Sequence, residues 1–288
     1  MKHVVITPAH NEAKHLPGLV ESMRSQTLRP TQWILVDDNS DDDTLEIMKA
    51  AAAANESWIR VLSFPGQSAR KLGSKVARIV LWALERAEPD WDYFSKLDAD
   101  IALPPRYYAQ ILTRFSERPK LGIASGVCVA SQNGRRVLEA TPNTHTRGAI
   151  KTYRRGCWNE TGGFPATHGW DGIDGLRARR LGFETAHFAE LEVQHRRPTS
   201  SANGTLRGRF VTGTFAHFLG YHPLFMAARG LRRMTDRPRL IGGAAMLAGF
   251  AWAYARGYEV LDEPETVEFL RREQIARLGL GIFEPKGG

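Results

Sequence analysis

The chain has 288 residues, of which 42% are hydrophobic and 24% are charged, and its formal net charge is +8. This composition is ordinary for a soluble globular protein and excludes a wholly disordered chain, while the length suits one large domain with an appendage. The positive charge favours polyanionic partners, such as nucleotide diphosphates, anionic lipid head groups or nucleic acid.

The first hundred residues alternate predicted strands and helices. A β-branched run at 3–7 predicts a strand, and apolar residues at helical spacing over 16–23 predict a helix. The alternation continues with strands at 33–36, 58–64 and 92–97 and with helices at 44–55 and 68–87. Strands and helices in this order indicate parallel strands joined by right-handed crossovers. We therefore predict an α/β fold.

Polar clusters follow three of these strands. They read PAHNE at 8–12, DDNSDDDT at 37–44 and DAD at 98–100. Ligands of open α/β sheets bind beyond the carboxyl ends of the strands. We therefore predict that the three clusters line one ligand site, with simple solvation of the loops as the alternative.

The second half of the chain is less regular. The pattern predicts a strand at 121–130, a helix from about Ile173 to Leu181, and an edge strand at 190–194 that delivers His195, while 148–153 is ambiguous. Nine arginines then occur between Arg196 and Arg239 against one acid, Asp236. This shift predicts a catalytic domain at 1–200, divided near residue 100 into nucleotide and acceptor halves, and a basic, mainly helical extension at 201–288.

Asp98 and Asp100 are candidate metal ligands. Two carboxylates separated by one residue at the end of a strand can reach one hard cation, directly or through water. A bare D-x-D pattern is common by chance, but here it follows the hydrophobic segment 93–97 and precedes a proline-rich turn. We predict a divalent cation at this position.

Four blocks of the sequence resemble family 2 glycosyltransferases of the GT-A fold. They are VVITPAHNEAKHLPGLVESMRSQT, WILVDDNSDDDT, FSKLDADI and GWDGIDGLRARRLGF, in the family's order over about residues 2–200. The resemblance implies a Rossmann-like GT-A sandwich with a mixed, mainly parallel sheet, here followed by a helical C-terminal extension. It also implies an inverting, metal-dependent enzyme that moves a sugar from a UDP- or GDP-sugar to an acceptor hydroxyl, in the synthesis of cell-surface polysaccharides or glycolipids.

The resemblance assigns donor-binding residues by position. The loop that lines the nucleotide corresponds to Pro8, His10, Asn11 and Glu12. Asp38 corresponds to the acid that hydrogen-bonds the base, and Arg70 and Lys75 fall, by weaker matches, where basic residues approach the nucleotide. Asp98 and Ala99 would lie beside the nucleotide, with Asp98 also near the metal, and Asp100 would ligate Mn²⁺ or Mg²⁺.

Asp171 and Asp174 are the candidates for the general base, which must take the proton of the attacking hydroxyl. The family carries this base in a Glu-Asp pair before an arginine-rich helix, and here Trp170 stands in place of the glutamate. Counting back from the RRLGF segment places Asp171 on the base. Asp174 is the alternative, because it could face the same cleft, and either residue could instead cap the helix.

Three further residues have an expected role near this site. His195 lies where several GT-A enzymes place a histidine metal ligand, and imidazole suits a mixed nitrogen and oxygen shell. Trp170 and Trp158 could stack on the acceptor sugar, or they could belong to the core. The sequence alone does not separate these two interpretations.

The C-terminal extension allows two interpretations. Its longest apolar run, 240–255, has 16 residues, whereas a helix that spans a bilayer needs about 20. Aromatic residues and Arg229, Arg232 and Arg233 suit an amphipathic segment at an anionic membrane surface. A helical subdomain with a solvated basic face is the alternative. No nucleic-acid motif accompanies the charge, so we expect no nucleic-acid partner.

The cysteine content and the start of the chain bear on the compartment. With two cysteines and no secretory leader at the start, we expect a cytoplasmic protein, in peripheral contact with the inner face of the membrane if the extension binds lipid. The expected partners are a nucleotide-sugar donor and a glycan or lipid-linked acceptor.

Two other functions rank below the transferase. A nucleotidyltransferase would need a glycine-rich phosphate loop after the first strand, and a non-catalytic binding protein would need no separate base.

Overall fold

The computed structural model describes residues 1–54, 57–66, 74–132, 135–138, 145–167, 169–197, 205–235 and 240–279. The chain divides into two compact units, Met1–Pro198 and Thr199–Gly288. The first unit contains the sheet and all of the predicted site residues. The elements described in the second unit are helices.

Four parallel strands form one half of the sheet of the first unit. They are β1 (His3–Ala9), β2 (Gln32–Asp37), β3 (Ile59–Ser63) and β4 (Tyr93–Leu97), in the order β3-β2-β1-β4. The intervening helices are α1 (Leu16–Arg24), α2 (Thr44–Ala53) and α3 (Ser74–Leu84). Successive residues of a strand point to opposite faces, so Val5 enters one hydrophobic core while Val4 and Ile6 enter the other. Burial on both faces explains why these strands read as continuous apolar runs.

The other half of the sheet is mixed. Its elements are β5 (Ile101–Ala102), α4 (Tyr107–Glu117), β6 (Leu121–Gln132), β7 (Arg135–Leu138), β8 (Ile150–Arg154), α5 (Arg155–Thr161), α6 (Trp170–Arg180) and β9 (Glu184–His195). The strand order continues β4-β8-β6-β9-β5, with β8 antiparallel to both neighbours and β9 parallel to β6. The predicted α/β architecture with a mixed, mainly parallel sheet is confirmed.

Two predicted elements differ from the structure near the site. The prediction of an edge strand before His195 is wrong, since His195 pairs with Ala130 of β6 on one side and with Ile101 of β5 on the other. The strand β5 has only two residues, too few to leave a periodic signal. The helix α6 begins at Trp170 rather than near Ile173, which places Asp171 in its first turn.

The second unit is the predicted set of helices: α7 (Thr205–Phe218), α8 (Pro223–Arg233), α9 (Ile241–Ala255) and α10 (Pro264–Arg277). Glycines let α7 and α9 approach closely, because a Cβ at Gly213 would lie 2.0 Å from the carbonyl oxygen of Met246 and one at Gly249 would lie 2.1 Å from that of Phe210. None of the described helices combines the length and apolarity needed to cross a bilayer.

Candidate functional site

The loops after β1 and β2 are joined by hydrogen bonds. The Asn11 backbone, in the left-handed region at φ 56°, donates to Ser40 Oγ at 3.1 Å, and the Asn11 side chain accepts from the Asp41 amide at 2.8 Å. His10 Nδ1 lies 2.8 Å from the carbonyl oxygen of Asp38. Parallel strands end at the same edge of the sheet, so two of the three predicted polar clusters form one surface.

Asp38 lies buried at the base of this surface. Its Oδ2 accepts from Lys75 Nζ at 2.6 Å, which joins two residues predicted to bind the nucleotide. Its Oδ1 is buried and has no hydrogen-bond partner in the described parts of the chain. A buried acceptor without a donor is costly, so this oxygen is suited to accept from an N–H group of a ligand. Pro8 lies within β1, and Arg70 lies outside the described residues.

The D-x-D segment follows β4 directly. The Asp98 amide donates to the carbonyl oxygen of Ala149 at 2.9 Å, and the Asp98 carboxylate contacts Lys96. Burial raises the pKa of Asp98, and Lys96 only partly offsets this effect. Ala99, between the two acids, is buried in the core.

Asp100 and His195 come together because the short ladder between β5 and β9 pairs Ile101 with His195. His195 Nε2 lies 3.5 Å from Asp100 Oδ1. Burial alone would raise the pKa of Asp100, but the hydrogen bond and charge of His195, together with the charge of Arg197, hold it below its usual value. In the described parts of the chain, no three His, Cys, Asp or Glu side chains converge on a single metal position.

Arg197 is a site residue that sequence reasoning missed. It donates to both carboxylate oxygens of Glu12, at 2.6 and 2.7 Å, and its Nε lies 3.7 Å from Asp100 Oδ2. Burial raises the pKa of Glu12, although Arg197 opposes the shift. The only sequence signal was the adjacency of Arg196 and Arg197 to the predicted ligand His195.

Asp171 presents a carboxylate that no group in the described parts of the chain engages. It lies in the first turn of α6 and is partly exposed. Its side chain packs against Gly148, where a Cβ would lie 2.9 Å from Asp171 Oδ2. Among the contacts of the described residues, the Asp171 carboxylate has no hydrogen bond or ion pair. Such a group is available to accept a proton from a ligand.

Asp174, the alternative base, is fully engaged by the protein. Its carboxylate accepts from Lys151 Nζ at 2.9 and 3.0 Å, from Tyr153 Oη at 2.5 Å and from the Gly175 amide at 2.6 Å, and its side chain is 1% exposed. Lys151 and Tyr153 lie on β8, the segment that the sequence left ambiguous. Asp174 therefore lies beneath the site and does not face it.

The two tryptophans near the site belong to the core. Trp170 is 6% exposed, and Lys96 Nζ and Lys151 Nζ each lie 5.6 Å from its ring centroid. Trp158 packs against an aromatic cluster at centroid distances of 5.1–5.3 Å, whose members are Phe94, Tyr153 and Phe164. Their packing favours the structural interpretation over stacking on an acceptor.

Known proteins match this chain in sequence pattern and in fold. The family described as glycosyl transferase family 2 matches residues 4–170. Mannosyltransferase PcManGT from Pyrobaculum calidifontis, solved in complex with GDP-Man and Mn²⁺, is 17% identical, with a TM-score of 0.57 over 99% of this chain and 76% of that one. TarS 1–349 of S. aureus, solved in complex with UDP-GlcNAc, is 17% identical, with a TM-score of 0.56 over 96% and 81%. At this identity the likeness shows a shared fold. A comparison with curated proteins found no match.

Proposed function

The chain belongs to glycosyl transferase family 2, and we propose that it is an inverting enzyme with Asp171 as its general base. One observation carries this assignment. Among the described residues Asp171 has no cationic partner, whereas the other acids of the site each contact a basic side chain: Lys75 at Asp38, Arg197 at Glu12, Lys96 at Asp98, His195 at Asp100 and Lys151 at Asp174. A carboxylate without a counter-ion is the better proton acceptor.

The proposed reaction is one displacement. The Asp171 carboxylate takes the proton of the acceptor hydroxyl while the hydroxyl oxygen bonds to the anomeric carbon of the donor sugar. The bond from that carbon to the nucleotide diphosphate breaks, and its electron pair stays on the leaving phosphate oxygen. Attack opposite the leaving group inverts the anomeric configuration. A positioned base of this kind contributes about a hundredfold to ten-thousandfold to the rate.

Asp38 is the proposed contact for the donor base. Its Oδ1, which has no partner among the described residues, can accept an N–H, and Lys75 holds the other oxygen in place. Uracil and guanine both present a ring N–H, so this contact suits UDP- and GDP-sugars alike. The solved neighbours were determined with GDP-Man and with UDP-GlcNAc, which supports a nucleotide-sugar donor without choosing between them.

The acids after β4 are compatible with a divalent cation. Mg²⁺ is usually held by one or two carboxylates plus substrate phosphates, so a complete protein cage is not required. Asp100 and His195, 3.5 Å apart, are the residues that would hold the ion, with Asp98 next to them. A bound Mn²⁺ or Mg²⁺ would neutralise charge on the diphosphate. The presence of Mn²⁺ in the mannosyltransferase neighbour supports this proposal.

A screen of nucleotide sugars tests the function directly. Thermal stabilisation by UDP- and GDP-sugars, with Mn²⁺, Mg²⁺ or chelator, should identify one donor whose binding requires metal. Release of the matching nucleoside diphosphate should then depend on an added acceptor. Formation of a nucleotide sugar from a nucleoside triphosphate and a sugar phosphate would indicate a nucleotidyltransferase. Binding of a nucleotide sugar with no sugar transfer to any acceptor tested would indicate a non-catalytic binding protein.

We also propose that the second unit contacts an anionic membrane and that the acceptor is a lipid-linked glycan. On α8, Leu224 and Leu231 are 58% and 62% exposed, and Arg229, Arg232 and Arg233 lie in the second half of the same helix. On α9, Ile241 and Trp252 are 56% and 45% exposed, and this helix contains no charged residue. Exposed apolar side chains beside arginines are typical of helices that lie at a lipid interface.

A further inference from the structure

A buried ionic cluster lies directly beneath Asp171. Lys151 and Asp174 have side chains that are 0% and 1% exposed and are joined at 2.9 Å, and Tyr153 donates to the same carboxylate. Replacing such a pair by apolar residues is often neutral or stabilising, so a buried ion pair is weak evidence for a stabilising role. A role other than stabilising the fold therefore better explains why these charges are buried here.

The cluster also contacts the backbone of the proposed base. Lys151 Nζ donates to the carbonyl oxygen of Asp171 at 2.5 Å, in addition to its bonds with Asp174. Lys151 lies on β8, in register with Lys96 of β4, so its backbone is fixed by the centre of the sheet. Asp171 and Asp174 lie in the first turns of α6. One ammonium group thus ties the start of the helix to the sheet at two points, three residues apart.

We propose that Lys151, Asp174 and Tyr153 are positioning residues, which hold the first turn of α6 so that the Asp171 carboxylate faces the acceptor hydroxyl. This inference rests on the proposed role of Asp171 as base. The chemical reason is that proton transfer requires an Asp171 carboxylate oxygen to lie within hydrogen-bond distance of the acceptor hydroxyl oxygen. A displacement of about 1 Å in such a group can lower turnover about a hundredfold.

The decisive variant removes the charges and keeps the volume. Asp174→Asn alone would leave Lys151 buried without its counter-ion, and the resulting instability would obscure the kinetics. The triple variant Lys151→Met, Tyr153→Phe, Asp174→Leu leaves no buried charge without its counter-ion. The Asp171 carbonyl and the Gly175 amide lose their side-chain partners, but they are the i and i+4 hydrogen-bond partners of an α-helix. We expect it to fold with a thermal midpoint near that of the wild type, to keep the donor KM, and to lose about a hundredfold in kcat. Wild-type kcat in a folded triple variant would overturn the proposal.

A second measurement distinguishes misplacement of Asp171 from a loss of activity caused by destabilisation of the whole protein. If the cluster acts through Asp171, the triple variant should lose little or no further activity when Asp171→Asn is already present. A further hundredfold loss in that background would contradict the proposal. Val5→Ala, in the core at β1 and away from α6, is the control for destabilisation alone and should change kcat little.

The outcomes also distinguish this proposal from the proposed function. Full activity of Asp171→Asn would reject Asp171 as the base, whatever the cluster does. An inactive Asp171→Asn with a fully active triple variant would reject only the positioning role. If the triple variant does not fold, Tyr153→Phe gives the same test at smaller amplitude, because it removes one hydrogen bond and retains the ion pair. In that variant we expect kcat to fall severalfold at unchanged donor KM, and unchanged kcat would overturn the proposal.

Discussion

Arg197 holds Glu12 through two hydrogen bonds, at 2.6 and 2.7 Å, although 185 residues separate them in the chain. The same guanidinium lies 3.7 Å from Asp100, so one half-exposed arginine contacts acids that follow β1 and β4. A divalent ion at Asp100 would approach this positive charge. The arrangement therefore implies that Arg197 weakens the binding of a metal ion in the absence of donor.

Arg197→Met is expected to bind Mn²⁺ alone more tightly than the wild type. A divalent ion and a unit charge about 4 Å apart in water interact by about 2 kcal/mol, which corresponds to about thirtyfold in affinity. Titration of Mn²⁺ by calorimetry, without nucleotide and at low salt, measures the effect. Arg118→Met is the matched control, because Arg118 pairs with Glu184 on the surface of the same unit. Equal Mn²⁺ affinity in Arg197→Met and the wild type would contradict the prediction.

Asp100→Ala should abolish the metal-dependent part of nucleotide diphosphate binding. Asp100 is the carboxylate nearest His195, and its removal leaves one of the two proposed ligands. Calorimetry with UDP and GDP, in Mn²⁺ and in chelator, gives the comparison. Asp90→Ala is the control, since Asp90 precedes β4 whereas Asp100 follows it. Equal wild-type affinity with metal and with chelator would reject a metal-dependent donor site.

Asp171→Asn should leave donor binding near normal and lower turnover by about a hundredfold to ten-thousandfold. The amide keeps the size of the side chain but cannot accept the proton. Asp174→Asn, by contrast, should lower the thermal midpoint strongly, because it leaves the Lys151 charge buried without its counter-ion. Normal turnover in Asp171→Asn, with inactivity of a well-folded Asp174→Asn, would assign the base to Asp174 instead.

The sequence was informative wherever a signal is local. Apolar runs on strands buried on both faces predicted β1 to β4, and the polar residues at the ends of these strands predicted loops at one edge of the sheet. The family pattern around Asp171 was equally local, and the family itself is confirmed by the match over residues 4–170. The residue-by-residue roles at the site remain predictions.

The contacts that complete the site carry no local signal. Arg197 meets Glu12 across 185 residues, and Lys151 meets Asp174 across 23. Each pair depends on which strands lie side by side and in which register. Strand β5, which pairs with the end of β9 just before Arg197, is too short to be recognised in the sequence. The sequence favoured Asp171 over Asp174 only by counting back from the RRLGF segment, and it did not show that β8 places Lys151 and Tyr153 against Asp174.

Acid should destabilise the first unit through His3. This side chain is buried beside Ser95, with Nε2 2.8 Å from Ser95 Oγ, and burial lowers its pKa to about 3 from 6.5. Between these two pH values His3 binds a proton in the unfolded chain but not in the folded chain. The free energy of unfolding therefore rises with pH, and this stability is lost as the pH falls below about 6.5. From pH 7.5 to pH 5 the loss is about 2 kcal/mol, at 1.36 kcal/mol per pKa unit.

His3→Gln should remove that part of the acid sensitivity. Urea unfolding followed by tryptophan fluorescence at pH 7.5 and pH 5 measures it, and six of the seven tryptophans lie in the first unit. The difference in unfolding free energy between the two pH values should be about 2 kcal/mol smaller in the variant. The same difference in both proteins would show that His3 is not the group responsible.

The last prediction concerns the second unit, whose exposed leucines and arginines on α8 support a contact with anionic lipid. Each basic residue near such a surface contributes about 1 kcal/mol, and salt weakens the attraction as the Debye length shortens to about 8 Å at physiological strength. Co-sedimentation of the full chain with anionic and neutral vesicles across a salt series should show binding to the anionic vesicles that salt reduces. Changing Arg229, Arg232 and Arg233 to Glu should abolish it, whereas Arg272→Glu with Arg277→Glu on α10 should retain most of it. No binding to anionic vesicles at low salt would instead favour a soluble acceptor and a structural role for these helices.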